Sequence, residues 1–197
     1  MKTKGAQTQE KILATTLELL EKQGFHNTGL QQILSESGTP RGSLYFHFPG
    51  GKDQLAAAAL SQGAESMQTT LARVFSYAAT PTEAINLIIN GLISRLEASG
   101  YEKGCPIATA ALEVGNEHPK VQQVCRNAYQ TWIQTIVTAL QKAGWEATEA
   151  KQYATIVLST IEGALILAKV ARSNEPLLDV IPPLTSLLSK DRASHVA

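Results

Sequence analysis

The sequence predicts an all-α protein of about nine helices: a small three-helix unit built around a helix-turn-helix, then a larger helical region. Three observations predict it. Apolar residues recur at three- and four-residue spacing along most of the 197 residues. No alternation of apolar and polar residues lasts long enough to argue for a sheet. Gly and Pro interrupt the pattern at intervals of helix length.

The elements follow in order. Residues 1–6 read as a loose arm. A first helix runs from about Thr8 to Gln23, with Ile12, Leu13, Leu17, Leu19 and Leu20 on its apolar side and Gly24 as its stop. Thr28 is a plausible N-cap for a second, short helix whose face is Leu30, Ile33 and Leu34. Gly38 can take the left-handed conformation that ends it. Thr39 then caps a third helix, with Pro40 at its first position, where a missing N–H costs nothing. Leu44 and either Phe46 or Phe48 anchor that helix. Pro49-Gly50-Gly51 forces a turn, and Lys52 opens a long fourth helix reaching about Ala78.

Beyond Thr80-Pro81 a fifth helix spans Thr82 to Ala98, and a sixth spans Cys105 to Val114 with Pro106 in its first turn. Asn116 caps a seventh from about Glu117 to Ala143. The eighth covers Ala147 to Arg172, and the ninth, Glu175 to Leu188, is disturbed by Pro182-Pro183. The tail SKDRASHVA reads as frayed.

Helices two and three form a reader of DNA. Arg41, Gly42 and Ser43 fill the first turn of the third helix, the turn that enters the major groove in this motif. Arg41 is the candidate for a bidentate contact to guanine. Tyr45 and His47 at the helix end, and Lys52 at the next helix start, can reach phosphate oxygens. Thr28, Thr39 and Pro40 complete the candidate interface.

Charge argues against a nonspecific nucleic-acid coat. The chain is neutral overall, and residues 1–55 carry six cationic side chains against five acidic ones. Affinity must come from a few placed contacts and from doubling by dimerisation. The two cysteines lie twenty apart and there is no zinc spacing, so neither a metal nor another cofactor is expected. The N-terminus lacks an apolar leader, and the apolar stretch Ala154 to Ala171 contains Glu162 and Lys169, so it reads as a buried helix rather than a membrane span. These features predict a cytoplasmic protein without a membrane partner. An enzyme is not expected: Gly51-Lys52 fails as a phosphate-binding loop, having Phe46 where Gly is needed and Asp53 where Ser or Thr is needed.

The runs GFHNTGLQQILSESG and TPRGSLYFHFPGGKDQL resemble the N-terminal domain of the TetR family of transcriptional repressors over roughly residues 7–55. KGCPIATAALEV and IEGALILAKVARSNEPL are similar to the LmrA/YxaF-like and NemR-like regulators within it. The resemblance implies a DNA-binding domain over residues 1–50 and a ligand-binding and dimerisation domain over 51–197. It also implies a homodimer on a palindromic operator in a bacterial cytoplasm, nucleoid-associated when DNA-bound, and released by a small effector.

Helix eight is apolar nearly all round, which implies cover on two sides. One side is the core, and the other is expected to meet a second copy together with helix nine, as the family pairs these helices. The residues expected there are Ile161, Leu165, Ala168, Leu177, Ile181, Leu184 and Leu188.

An apolar or aromatic effector suits the aromatic side chains with polar tips in the C-terminal region. The candidates are Met67, Phe75, Tyr101, Tyr129, Trp132 and Tyr153, each open also to a plain core role. Glu162 can pair with a cation, cap a ligand or bond across the dimer. Cys105, after Gly104 at a helix start, is a further candidate, because helix N–H groups favour a thiolate. In the NemR-like regulators that it resembles, a cysteine at the matching place reacts with electrophiles. The alternatives are therefore a ligand-released repressor and a redox sensor switched at Cys105. Cys125, mid-helix, reads as buried and inert.

Overall fold

The computed structural model describes residues 3–189. Among these there is no strand, and the ten helical segments are α1 (Lys4–Asn27), α2 (Leu30–Ser37), α3 (Arg41–His47), α4 (Gly51–Tyr77), α5 (Pro81–Ala98), α6 (Pro106–Glu113), α7 (Pro119–Lys142), α8 (Ala147–Ala171), α9 (Glu175–Asp179) and α10 (Ile181–Leu188).

Several boundaries differ from the sequence expectation. Residues 4–6 are helical rather than a loose arm, because Thr3 caps α1 by accepting from the Ala6 N–H. Met1, Lys2 and the tail from residue 190 lie outside the described residues. Gly24 does break the first helix, at φ 81° and ψ −178°, but one further turn follows it. Asn116 does not cap α7. It lies in a turn, and the helix begins at Pro119, which has no N–H to lose. The expected ninth helix is two segments, α9 and α10, meeting at Val180.

The chain divides by packing into two compact units, and the division does not fall at residue 50. One unit comprises residues up to Met67 together with Lys103–Tyr129; the other comprises Gln68–Glu102 and the chain from Gln130 onward. In the first unit Ile12, Leu19, Ile33, Leu44, Phe48 and Leu55 form one apolar core, with Leu13, Leu30, Leu34 and Ala58 packed against it. Burial of these side chains holds the short helices α2 and α3, which would be marginal alone, against α1 and α4. α6 belongs to this unit and lies along α1.

In the second unit α8 contacts α9, and α5 contacts α8, α9 and α10. The inward stripe of α8 is Ala150, Ala154, Val157, Ile161, Ala164, Leu165 and Ala168. Leu177, Leu184 and Leu188 are likewise buried within the single chain, and Ile181 is half-buried. Apart from half-buried Ile181, the expected dimer residues thus face the chain's own core. A helix apolar on all sides carries no periodicity that separates its two faces, so sequence pattern could not choose between them. The outward apolar residues are Ile156, Ile166, Leu167 and Val170 on α8 and Leu178 on α9. α8 is long and apolar enough to cross a membrane by length and composition, and only 33% of its most apolar window is buried. The buried helix expected from the sequence is therefore buried on one side only.

Candidate nucleic-acid interface

The turn between α2 and α3 is set by Gly38, at φ 59° and ψ 34°. Its N–H donates to the carbonyls of Leu34 and Ser35, and the Thr39 N–H reaches back 3.2 Å to the Leu34 carbonyl. This Schellman closure needs a left-handed residue, which Gly adopts without steric cost. It fixes the angle at which α3 leaves α2.

α3 then turns Leu44 inward, and Phe48, its C-cap, is buried too. Of the two sequence alternatives for the anchor, Phe48 is the one used; Phe46 points away and is 81% exposed. With one side held, the opposite side presents Arg41, Gly42 and Tyr45 to solvent, with Ser43 and His47 half-buried beside them. The Arg41 guanidinium lies 5.6 Å from the Tyr45 ring centroid, one helical turn on. The His47 ring sits edge-on to Phe46 at 5.1 Å. Pro40 is exposed just before the helix, in the N-cap position, with no side-chain cap.

Three of the expected residues have local roles that differ from the sequence expectation. Thr28 is not the N-cap of α2; that position is Gly29. Thr28 is 1% exposed, and its hydroxyl donates 2.6 Å to the Gly24 carbonyl, so no DNA can reach it. Thr39 does not cap α3; its hydroxyl pairs at 2.6 Å with that of buried Ser37, stiffening the turn. Lys52 is not a free surface cation. Its ammonium donates 3.2 Å to the His26 carbonyl and lies 4.5 Å from the Phe25 ring centroid. Burial holds its pKa below the usual lysine value. Lys52 is a tie within the first unit.

That tie belongs to a cluster that sequence reasoning missed. The Glu113 carboxylate at the end of α6 accepts from the His26 N–H at 2.7 Å, and the Glu113 carbonyl lies 3.0 Å from His26 Nε2. His118 Nδ1 is 2.9 Å from the Asp53 carboxylate. The other end of α6 is held as well. Lys103 pairs with Glu18 of α1 at 3.1 Å and depresses its carboxyl pKa, and the Gly104 N–H reaches the Glu21 carbonyl. Partners 87 residues apart leave no local sequence signal.

The effector candidates fall in both units. In the second unit a groove of about 630 Å³ runs between α4 and α7, lined by Gln68, Phe75, Gln134, Thr135 and Lys142 among others. Of the candidates only Phe75 lines it. Trp132 is buried in the core, Tyr153 packs against Trp145 at 4.7 Å, and the Tyr101 hydroxyl donates to Asn174. Met67, Tyr129 and Glu162 are half-buried and do not line this groove. Cys105 is half-buried and is itself the N-cap of α6: its sulfur accepts from the Ala108 N–H at 3.4 Å. Cys125 is buried, and burial pushes its thiol pKa up to about 11.

A helix-turn-helix with one helix anchored on its inner side and bare on its outer side defines the class: a DNA-binding transcriptional regulator. Comparison with known proteins supplies the family. Residues 12–59 match the bacterial regulatory proteins of the tetR family, and residues 81–181 match the C-terminal domain of LmrA/YxaF-like transcriptional regulators. The HTH-type transcriptional regulator LmrA of Bacillus subtilis (strain 168) is 33% identical over 93% of this chain and 97% of its own length. YxaF of the same organism, an HTH-type regulator, is 32% identical over 95% of this chain and 98% of its own length. The fold matches the reduced form of Escherichia coli NemR with a TM-score of 0.80 at 21% identity, over 92% of this chain and 97% of that one. A TetR regulator from Legionella pneumophila superposes at 0.82 with 18% identity, covering 96% and 99%. The chain belongs to the TetR family, in its LmrA/YxaF-like branch. It is a transcriptional regulator and not an enzyme.

Proposed function

We propose that the protein is a homodimeric repressor that binds a palindromic operator through residues 1–50, dimerises through 51–197 and is released by a small apolar or aromatic effector. The observation that carries the reading is the outer face of α3. Arg41 is exposed in its first turn, and Tyr45 and His47 follow toward its end. Arg41 reads a guanine in the major groove, with Tyr45 and His47 on phosphates.

Two copies are needed because one such helix, on a first unit with little net charge, supplies too few contacts. The outward stripe Ile156, Leu167 and Val170 of α8, joined by Leu178 of α9, supports a two-fold helical interface. Release requires an effector that binds one arrangement of the dimer better than the other. The protein acts in the cytoplasm, on the nucleoid. Titrating a duplex selected from random DNA with the purified protein tests this reading. Dimeric binding, lost in Arg41→Ala, is expected; tight binding by the variant contradicts it.

A second reading has one observation in its favour. Cys105 caps the helix whose far end holds Glu113 against the last turn of α1. Modification of its sulfur removes that cap, and a redox or electrophile signal then replaces the effector. Under the first reading, release survives Cys105→Ser; under the second, it is lost.

A further inference from the structure

We propose that Phe46 is a specificity residue that recognises the C5-methyl group of a thymine in each half-site. At 81% exposure Phe46 is among the most exposed large apolar side chains of the described residues, and it stands on the helix that reads DNA. Nothing within the fold requires it there, because the apolar side of α3 is already filled by Leu44 and Phe48. A phenyl ring in that position keeps unfavourable contact with water until a partner covers it. It has no donor or acceptor with which to grip a phosphate.

The edge of the major groove offers one apolar group, the thymine methyl. The ring is also positioned for it. His47 packs edge-on at 5.1 Å on one side, and exposed Gly42, one turn back, brings no side chain between ring and groove. Phe46 follows Arg41 by five residues, about 7.5 Å along the helix axis. Its thymine therefore lies within about two base pairs of the guanine that Arg41 reads. This rests on α3 being the helix that enters the groove.

The test uses the full-length protein and a duplex selected by it from random DNA. Each thymine is replaced in turn by deoxyuracil, which removes only the methyl. Wild-type affinity is expected to fall about fourfold per half-site at one symmetric pair of positions, the worth of one buried methyl. Phe46→Ala should bind the thymine operator more weakly and stop distinguishing thymine from deoxyuracil at that pair. Phe46→Leu, which keeps an apolar contact, should retain part of the distinction. The proposal fails if no deoxyuracil position weakens wild-type binding, or if Phe46→Ala keeps the full discrimination. If Arg41→Ala also leaves binding unchanged, α3 is not the reading helix; if Arg41→Ala weakens binding, the error is confined to Phe46.

Discussion

The carboxylate of Glu113 occupies the space in which a side chain at residue 24 would begin: a Cβ placed on Gly24 would stand 1.9 Å from Glu113 Oε1. Gly24 also holds φ 81° and ψ −178°, a region essentially restricted to glycine. α6 is thus locked onto the kink between the body of α1 and the turn that leads to α2.

Gly24→Ala should destabilise the protein by about 1–3 kcal/mol from backbone strain alone, with a further cost from the clash. Glu113→Ala removes the charge-assisted bond to the His26 N–H and should cost about 1–3 kcal/mol. The two losses should not add, because Glu113→Ala empties the space that the methyl introduced by Gly24→Ala needs. Thermal melts of the four proteins in this cycle check it. Strict additivity would mean that the carboxylate is not what fills the kink.

Lys52→Met keeps the aliphatic stem and removes the ammonium. If the ammonium serves the interior, the variant should lose the cation–π contact and the bond to His26, about 1–2 kcal/mol together. The slope of operator affinity against salt should stay as in the wild type. A slope reduced by about one per chain would show instead that Lys52 neutralises a phosphate.

The helix-turn-helix was legible in the sequence because its signals are local. Gly38 must be left-handed, and Leu44 and Phe48 share one face; Pro40, expected as the first residue of the third helix, is instead its N-cap. Caps were less secure, since Thr28, Thr39 and Asn116 have capping chemistry but spend it otherwise or stand outside the helix start. The inner and outer sides of α8 could not be told apart, because Leu165 and Leu167 are equally apolar and only tertiary packing distinguishes them. The ties from Lys52 to His26 and from Glu113 to His26 depend on where α4 and α6 land, which no spacing encodes.

The two faces of α8 make opposite predictions. Leu165→Asp buries an unpaired charge in the chain's own core and should prevent stable folding. Val170 is 79% exposed in the single chain, so Val170→Asp should fold with unchanged helical circular dichroism. It should nevertheless weaken the dimer, by on the order of 3 kcal/mol. Sedimentation velocity at micromolar concentration reads the shift to monomer. A Val170→Asp dimer as tight as the wild type would move the interface elsewhere.

The cysteines should separate by reactivity. The Cys125 thiol is buried, with a pKa pushed up to about 11 from an ordinary 9.0. Folding therefore favours its neutral form. That contribution is complete below pH 9.0 and is lost as pH rises toward 11. Iodoacetamide at about pH 8, below the ordinary thiol value, should label Cys105 in the native protein and Cys125 only after denaturation. Peptide mass spectrometry would record the difference. Equal labelling of both in the native state would contradict the packing around α7.

The central claim is that two copies read a palindrome through Arg41 on the outer face of α3. Selection of duplex DNA from a random pool by the purified wild type and by Arg41→Ala tests it most directly. The wild type should yield two inverted half-sites with centres roughly 34 Å apart, or a multiple of that, along the helix. Arg41→Ala should yield the same pattern with one guanine per half-site no longer specified. A consensus without two-fold symmetry, or an unchanged guanine preference in the variant, would contradict the account.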